Sequence, residues 1–177
     1  MRFAHSGNVL ACCYNREYIL GKYPEMTIAE IWFGEKAQQL RNALRQGDFS
    51  LGCDGCKKEI MAGKFYSSGA SNYDYLPAKE ANYPTMLDFE TGNTCNLECV
   101  QCNGEYSSSI RKNREKQPPY ISPYDDAFVE QLTEFIPHLK QMRFAGGEPF
   151  LIPLYYDIWE KALATNPRIE YSVQTNG

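Results

Sequence analysis

The sequence predicts an α/β fold in which parallel strands alternate with helices, preceded by a small cysteine-rich α+β segment. Residues 86–90 predict a buried strand, and residues 141–145 and 169–173 predict two further strands. A loop with polar or metal-binding side chains follows each predicted strand, and helical patterns separate the strands. This layout is typical of parallel α/β barrels, whose working face lies at the carboxyl ends of the strands. We therefore expect a partial, TIM-like (β/α) barrel with three βα units.

The N-terminal segment predicts a hairpin followed by two helices. Residues 1 to about 20 form the hairpin in this prediction. Thr27 and Glu30 have the spacing of a capping box, so the first helix is expected to start there. A second helix is expected from Glu35 to Arg45, with Gly47 as its stop signal.

Two further helical patterns connect the three strands of the predicted barrel. Ser122 is a candidate N-cap with Pro123 at the first helical position, and this helix is expected to run to about Ile136. Residues 154–165 predict the second crossover helix from their apolar periodicity.

Three cysteines follow the first strand at the spacing C-x3-C-x2-C: Cys95, Cys99 and Cys102. Thiolates this close on one loop repel each other unless a soft metal or an iron–sulfur cluster binds them. Three sulfur ligands leave one position of a four-coordinate or four-iron site open, which is typical of reactive metal sites. The spacing alone leaves zinc and iron–sulfur sites as alternatives.

The second strand runs directly into Gly146, Gly147, Glu148 and Pro149. Two glycines after a strand let the backbone approach a ligand closely. Glu148 offers an acceptor for a cationic amine. The same four residues also fit an ordinary strand-to-helix turn, with Pro149 near the first helical position.

Four more cysteines lie near the N-terminus, as the vicinal pair Cys12 and Cys13 and the C-x-x-C pair Cys53 and Cys56. The chain has seven cysteines in such sets, which favours metal or redox chemistry over a disulfide framework in a cytosolic protein. A small zinc knuckle is the alternative.

Composition excludes several classes of protein. The net charge of −4 gives no reason to expect a nucleic-acid partner. No apolar run approaches the roughly 20 residues of a membrane span. The first residues lack the apolar core of a signal peptide, so we expect a cytoplasmic protein.

The cysteine triad, with Gly-Gly-Glu-Pro one βα unit later, resembles the radical S-adenosylmethionine (SAM) enzymes over residues 85–177. The resemblance implies that Cys95, Cys99 and Cys102 hold a [4Fe–4S] cluster whose fourth iron is chelated by SAM. It implies that the loop 146–149 binds the SAM amino group. It also implies reductive cleavage of SAM to a 5′-deoxyadenosyl radical, which abstracts hydrogen from a substrate.

The resemblance implies that three further residues lie near SAM. Gln101 stands before the third cysteine, where the family usually carries an aromatic or large apolar residue that packs near the adenine of SAM. Thr175 and Asn176, after the third strand, are expected to line the floor beside SAM.

The segment from Gly7 through Cys56 resembles the auxiliary-cluster modules of radical SAM enzymes, called SPASM or, when shortened, Twitch domains. Gly7 and Cys12 match Gly-x4-Cys, and a Trp-containing helix and a C-x-x-C follow. The module implies an auxiliary [4Fe–4S] cluster on Cys12, Cys53 and Cys56, although it usually follows the barrel. Another cysteine normally precedes the glycine. In its absence, Cys13 is the fourth ligand, the cluster has an open iron, or the natural chain begins earlier; His5 is a weaker candidate.

These resemblances divide the chain into an auxiliary module (1–60), a connector (61–84) that includes Pro77, and the N-terminal half of a radical SAM core (85–177). Family barrels have six βα units and three are present, so we expect the N-terminal part of a longer enzyme. A peptide or protein substrate is expected, and an electron donor such as flavodoxin or ferredoxin. The alternatives are an iron–sulfur electron-transfer or scaffold protein that does not cleave SAM, and a zinc-binding interaction domain.

Overall fold

The strands of this computed structural model, which describes residues 1–76 and 82–177, form one six-stranded sheet with the order β3-β2-β1-β4-β5-β6. Their bounds are β1 (Arg2–Ala4), β2 (Asn8–Leu10), β3 (Gly21–Lys22), β4 (Met86–Glu90), β5 (Gln141–Phe144) and β6 (Glu170–Val173). The pairs β1–β2 and β2–β3 are antiparallel. The pairs β1–β4, β4–β5 and β5–β6 are parallel.

Helices precede β4 and connect the parallel strands that follow it. They are α1 (Ile28–Phe33), α2 (Glu35–Arg45), α3 (Asp54–Met61), α4 (Ser108–Asn113), α5 (Asp126–Leu132) and α6 (Pro153–Thr165). Short 3-10 turns lie at Phe65–Ser67, Gly69–Tyr73, Ile136–His138 and Pro149–Leu151. Within the described residues, no helix is both long enough and apolar enough to cross a bilayer.

One face of the sheet is aromatic and carries the core. The register aligns Phe3 with Phe89 and Phe89 with Phe144, and the ring centroids are 5.5 Å and 4.9 Å apart in these two pairs. Phe128 of α5 meets Phe3 edge-on, and Tyr155 of α6 meets Phe144 in the same way. All five side chains are fully buried, so one core extends from the N-terminal hairpin to α6.

The opposite face of the sheet is polar, because side chains alternate along a strand. The register places Arg2 beside Asp88, Asp88 beside Arg143, and Arg143 beside Ser172. Arg2 also reaches Glu90, two residues along β4. Charged side chains therefore lie on the face opposite the aromatic core, and Arg2 and Asp88 are buried there.

Local signals in the sequence set most helix ends as predicted. Thr27 and Glu30 form the complete capping box, with both reciprocal hydrogen bonds present. The helix Glu35–Arg45 has the predicted bounds, and Gly47 follows it with a φ of +70°. That left-handed conformation favours glycine, which explains the stop.

The prediction for the helix after Ser122 is wrong at both ends. Asp125 is the N-cap and accepts a hydrogen bond from the Phe128 N–H at 3.0 Å. The Ser122 hydroxyl instead donates to the Thr91 carbonyl. The α-helix ends at Leu132, and a 3-10 turn covers residues 136–138.

The α/β prediction is confirmed, with all three predicted βα strands present. The described residues form an open mixed sheet, so the partial barrel stays a prediction. The predicted domain boundaries also stay a prediction, and Pro77 of the connector lies outside the described residues. Direct pairing of β1 with β4 nevertheless joins the N-terminal segment and the parallel strands in one sheet.

We expect Phe3→Ala to lower the free energy of unfolding by about 3–5 kcal/mol, because it opens a cavity under the aromatic row. Chemical denaturation followed by circular dichroism measures the change. Phe65→Ala is the control, because Phe65 is 59% exposed and its removal should cost little. Separate unfolding of residues 1–60, with the remainder unaffected by Phe3→Ala, would contradict a shared core.

Candidate cofactor site

A cavity of about 430 Å³ lies beyond the carboxyl ends of β4, β5 and β6, and its size is in the range of small-molecule sites. The three cysteines of the C-x3-C-x2-C spacing line it, together with Gly146 and Gly147. Its other lining residues are Glu90, Leu97, Gln101, Asn103, Tyr106, Ala145, Gln174 and Asn176. The structure therefore brings both sequence motifs to one site.

Three consecutive serines at the start of α4 hold the cysteine loop in place. The Cys95 N–H donates to the Ser108 hydroxyl at 3.0 Å, and the hydroxyls of Ser108 and Ser109 donate to the Cys95 carbonyl. Ser107 caps α4 and donates to the Leu97 carbonyl at 2.7 Å. The loop is thus tied to the helix on both sides of its first cysteine.

The sulfur atoms of this loop have donors nearby and are accessible. The Leu97 N–H donates to Cys95 Sγ at 3.5 Å, and the Asn176 amide nitrogen lies 3.9 Å from the same sulfur. Cys99 is exposed, while Cys95 and Cys102 are partly buried. N–H groups directed at sulfur stabilise a thiolate and tune an iron–sulfur cluster.

The positions of the Cys95, Cys99 and Cys102 thiols distinguish a site for a single metal ion from a site for a four-iron cluster. Among residues 1–76 and 82–177, no three Cys, His, Asp or Glu side chains are grouped as ligands of one metal ion. In a four-iron cluster the cysteines bind different irons, so their sulfurs need not meet at one point. Three accessible thiols around one cavity fit that donor set.

Gly146 and Gly147 belong to the loop after β5, and they allow its backbone to approach the cysteine loop closely. A Cβ on Gly147 would lie 2.1 Å from the Thr94 carbonyl oxygen, and one on Gly146 would lie 2.6 Å from that of Gly92. Gly146 also has a φ of +83°. The Glu148 N–H donates to the Thr94 carbonyl at 2.7 Å. Larger residues would separate the two loops.

Glu148 lies behind the cavity and is not among its lining residues. Its carboxylate accepts hydrogen bonds from the Phe150 N–H, the Thr175 hydroxyl and the Asn176 N–H, at 3.1, 2.9 and 2.8 Å. Burial alone raises the pKa of Glu148, but these three donors together lower it below its ordinary value. Direct contact of Glu148 with an amine stays a prediction.

The remaining predicted residues fall in different places. Gln101 and Asn176 line the cavity. The Thr175 hydroxyl donates to Glu148, and Thr175 is not part of the cavity lining. Pro149 is buried at the start of a 3-10 turn, where its missing N–H costs nothing.

Glu90 and Tyr106 are among the cavity residues that sequence reasoning missed. Glu90 ends β4 on the polar face, and period-2 alternation along the strand was a signal that could have found it. Tyr106 lies in a loop without a regular pattern, and no sequence signal points to it. The ring of Tyr106 meets His5 edge-on at 5.3 Å.

The N-terminal thiols are organised by Asn15, which is buried. The Asn15 N–H donates to Cys12 Sγ and its side-chain amide donates to Cys53 Sγ, both at 3.4 Å. The same amide donates to the Leu51 carbonyl at 2.8 Å. Burial raises the pKa values of Cys12 and Cys53, and nearby thiols, Cys56 included, raise them further.

Cys13 and His5, the two candidates for the fourth ligand of the auxiliary cluster, both lie next to tyrosine side chains. The Cys13 thiol lies 3.4 Å from the Tyr73 hydroxyl. His5 lies between the rings of Tyr106 and Tyr120. Because β1 and β2 are antiparallel, His5 is at the opposite end of the hairpin from Cys12. The structure thus places His5 near the cavity at the carboxyl ends of the strands.

Comparison with family models agrees with this geometry. The model of the radical SAM superfamily matches residues 89–177, just over half of the chain. The chain belongs to the radical SAM superfamily. A second model, the SPASM iron–sulfur cluster-binding domain, matches residues 1–57. This radical SAM protein therefore carries its SPASM module ahead of the core. Searches of curated proteins and of solved structures found no match.

We expect Gly147→Ala to destabilise this radical SAM protein by about 1–3 kcal/mol and to lower its iron content, because the new methyl group displaces the cysteine loop. Chemical denaturation and iron analysis after anaerobic reconstitution measure both effects. Gly92→Ala is the matched control, since its Cβ would be no closer than 3.6 Å to Ile152. Equal behaviour of the two variants would contradict the close approach as the reason for glycine.

The lowered pKa of Glu148 predicts a pH-dependent contribution to stability. A carboxyl whose pKa is lower in the folded state stabilises the fold above its unfolded pKa, which is about 4.3 for glutamate. That contribution is lost as the pH falls below this value and through the folded pKa. Unfolding free energies measured from pH 6 to pH 3 should therefore fall less steeply in Glu148→Gln than in the wild type. Parallel curves would exclude Glu148 as a source of the acid sensitivity.

Proposed function

We propose that this chain uses a [4Fe–4S] cluster on Cys95, Cys99 and Cys102 to cleave SAM reductively, so that hydrogen is abstracted from a peptide or protein substrate. The observation that carries the proposal is the single cavity lined by all three thiols and by both glycines. When bound, the reduced cluster supplies the electron that splits SAM into methionine and a 5′-deoxyadenosyl radical.

The chain's own residues position the reactants. Three thiolates leave the fourth iron of the cluster open for SAM. Gly146 and Gly147 bring the backbone to the edge of the cavity beside it. Glu148 holds the Asn176 backbone, and the Asn176 side chain donates to Asn96 at 3.0 Å on the cysteine loop. The loops after β4, β5 and β6 thereby form one wall.

An auxiliary cluster on Cys12, Cys53 and Cys56 completes the proposal, with Cys13 as a further candidate ligand. Cys12 lines a second cavity together with Met86, the first residue of β4, whereas Cys95 follows the carboxyl end of that strand. The five residues of β4 span roughly 16 Å. The two thiol sites thus lie toward opposite ends of β4, and the proposal takes the substrate as a peptide or protein anchored at one site and reacting at the other.

In a second version of the proposal, the auxiliary cluster passes electrons to the site of the cysteine triad. The primary reductant would then be a small redox protein such as flavodoxin or ferredoxin.

Metal analysis of the anaerobically reconstituted chain tests both sites. We expect about eight irons and eight sulfides per chain, and about four of each in Cys95→Ala and in Cys53→Ala. SAM cleavage under dithionite should disappear in Cys95→Ala. Cluster content without SAM cleavage in the wild type would favour an electron-transfer or scaffold protein. Zinc without sulfide would contradict the proposal for both sites.

A further inference from the structure

Cationic side chains are concentrated at the end of α4, in residues 111–116, which are called the basic segment below. They are Arg111, Lys112, Arg114 and Lys116, and the last three are exposed. The first two lie in the last turn of α4, where the helix dipole favours cations. The other two follow the helix, where that reason no longer applies and like charges this close repel each other. The basic segment is therefore a candidate surface for an acidic partner.

Hydrogen bonds join the basic segment to the cysteine loop at two places. The Asn113 side-chain amide donates to the Glu98 carboxylate at 2.6 Å, one residue ahead of the second cysteine of the triad. The Gly104 N–H donates to the Glu115 carboxylate at 2.7 Å, two residues after the third cysteine. A Cβ on Gly104 would lie 2.9 Å from the Arg111 Cα, so the two backbones are in close contact. The basic segment thus lies directly against the loop that carries the triad.

The cysteine loop has an outer side that does not belong to the cavity. Val100 stands between Cys99 and Cys102, is 93% exposed and is not among the cavity residues. Residues 111–116, all within the described part of the chain, do not line the cavity either. An exposed apolar residue beside cations is typical of small, transient interfaces, which have an apolar centre and a polar rim. The outer side of the loop is therefore accessible to a second protein.

We propose that the basic segment and Val100 form the docking surface for an acidic one-electron redox protein that reduces the triad cluster. This inference rests on the proposed function, because it takes a four-iron cluster on the triad as the electron acceptor. The donor loses one electron and the cluster gains it, and no bond forms or breaks. The electron enters at the triad and does not pass through the N-terminal thiols. Attraction between opposite charges speeds such association by about 10- to 1,000-fold and is screened by salt.

Flavodoxin, an acidic protein that gives up one electron, is the probe for the reconstituted full chain, with dithionite as a small reductant that needs no docking surface. Lys112→Glu/Arg114→Glu is expected to weaken flavodoxin binding, measured by anaerobic calorimetry at low salt, about tenfold or more. The flavodoxin-driven rate of 5′-deoxyadenosine formation should fall with it, while the dithionite-driven rate stays unchanged. Lys57→Glu/Lys58→Glu on α3 is the matched control, because both lysines are exposed, directly follow an auxiliary cysteine and give the same change of charge.

Exposed substitutions of this kind rarely unfold a protein, and the neutral pair Lys112→Gln/Arg114→Gln should give an intermediate loss of affinity. An equal loss in the two charge-reversed variants would overturn the proposal, because total charge would then set the affinity. A loss confined to Lys57→Glu/Lys58→Glu would overturn it as well and would indicate electron entry at the N-terminal thiols. So would a wild type that dithionite reduces and flavodoxin does not bind. Failure of dithionite to drive SAM cleavage in the wild type would instead contradict the proposed function.

Discussion

The candidate site depends on one backbone contact, between the loop after β5 and the loop after β4. The Glu148 N–H donates to the Thr94 carbonyl, and Gly147 lies so close to that carbonyl that no side chain fits. Thr94 directly precedes the first cysteine of the triad. Hydrogen bonds therefore connect the cysteine loop to the glycine loop and, through the Glu148 carboxylate, to the Asn176 loop. The shape of the cavity is a consequence of this contact.

Pairing of β1 with β4 brings residues of the N-terminal segment to both ends of the central sheet. The aromatic row through Phe3, Phe89 and Phe144 makes the hairpin part of the central core. Because β2 runs back along β1, Cys12 comes out at the amino end of β4, away from the triad. Residues of the N-terminal segment consequently reach both ends of the sheet, Arg2 and His5 toward the cavity and Cys12 toward the auxiliary thiols.

Features set by short-range chemistry were predictable from the sequence. The capping box at Thr27, the stop at Gly47 and the three parallel strands depend on neighbouring residues, and all are present. The N-cap at Asp125 was missed because Ser122 and Asp125 are equally good caps. The Tyr23 hydroxyl, about 100 residues away in the chain, donates to Asp125 at 2.6 Å, and no local pattern records that contact. Asn15 was missed for the same reason, since its partner Leu51 comes from a distant loop.

Glu148 and Glu90 are two acidic residues near the cavity whose surroundings depend on contacts that are distant in the chain. Glu148 belongs to the motif, and its carboxylate is committed to three hydrogen bonds that join two loops. Glu90 belongs to no motif, and one of its oxygens is held by Arg2 while the other receives no donor from the described residues. Neither arrangement is recorded in the local sequence, because Glu148 finds two of its donors in the loop after β6 and Glu90 finds its partner on β1.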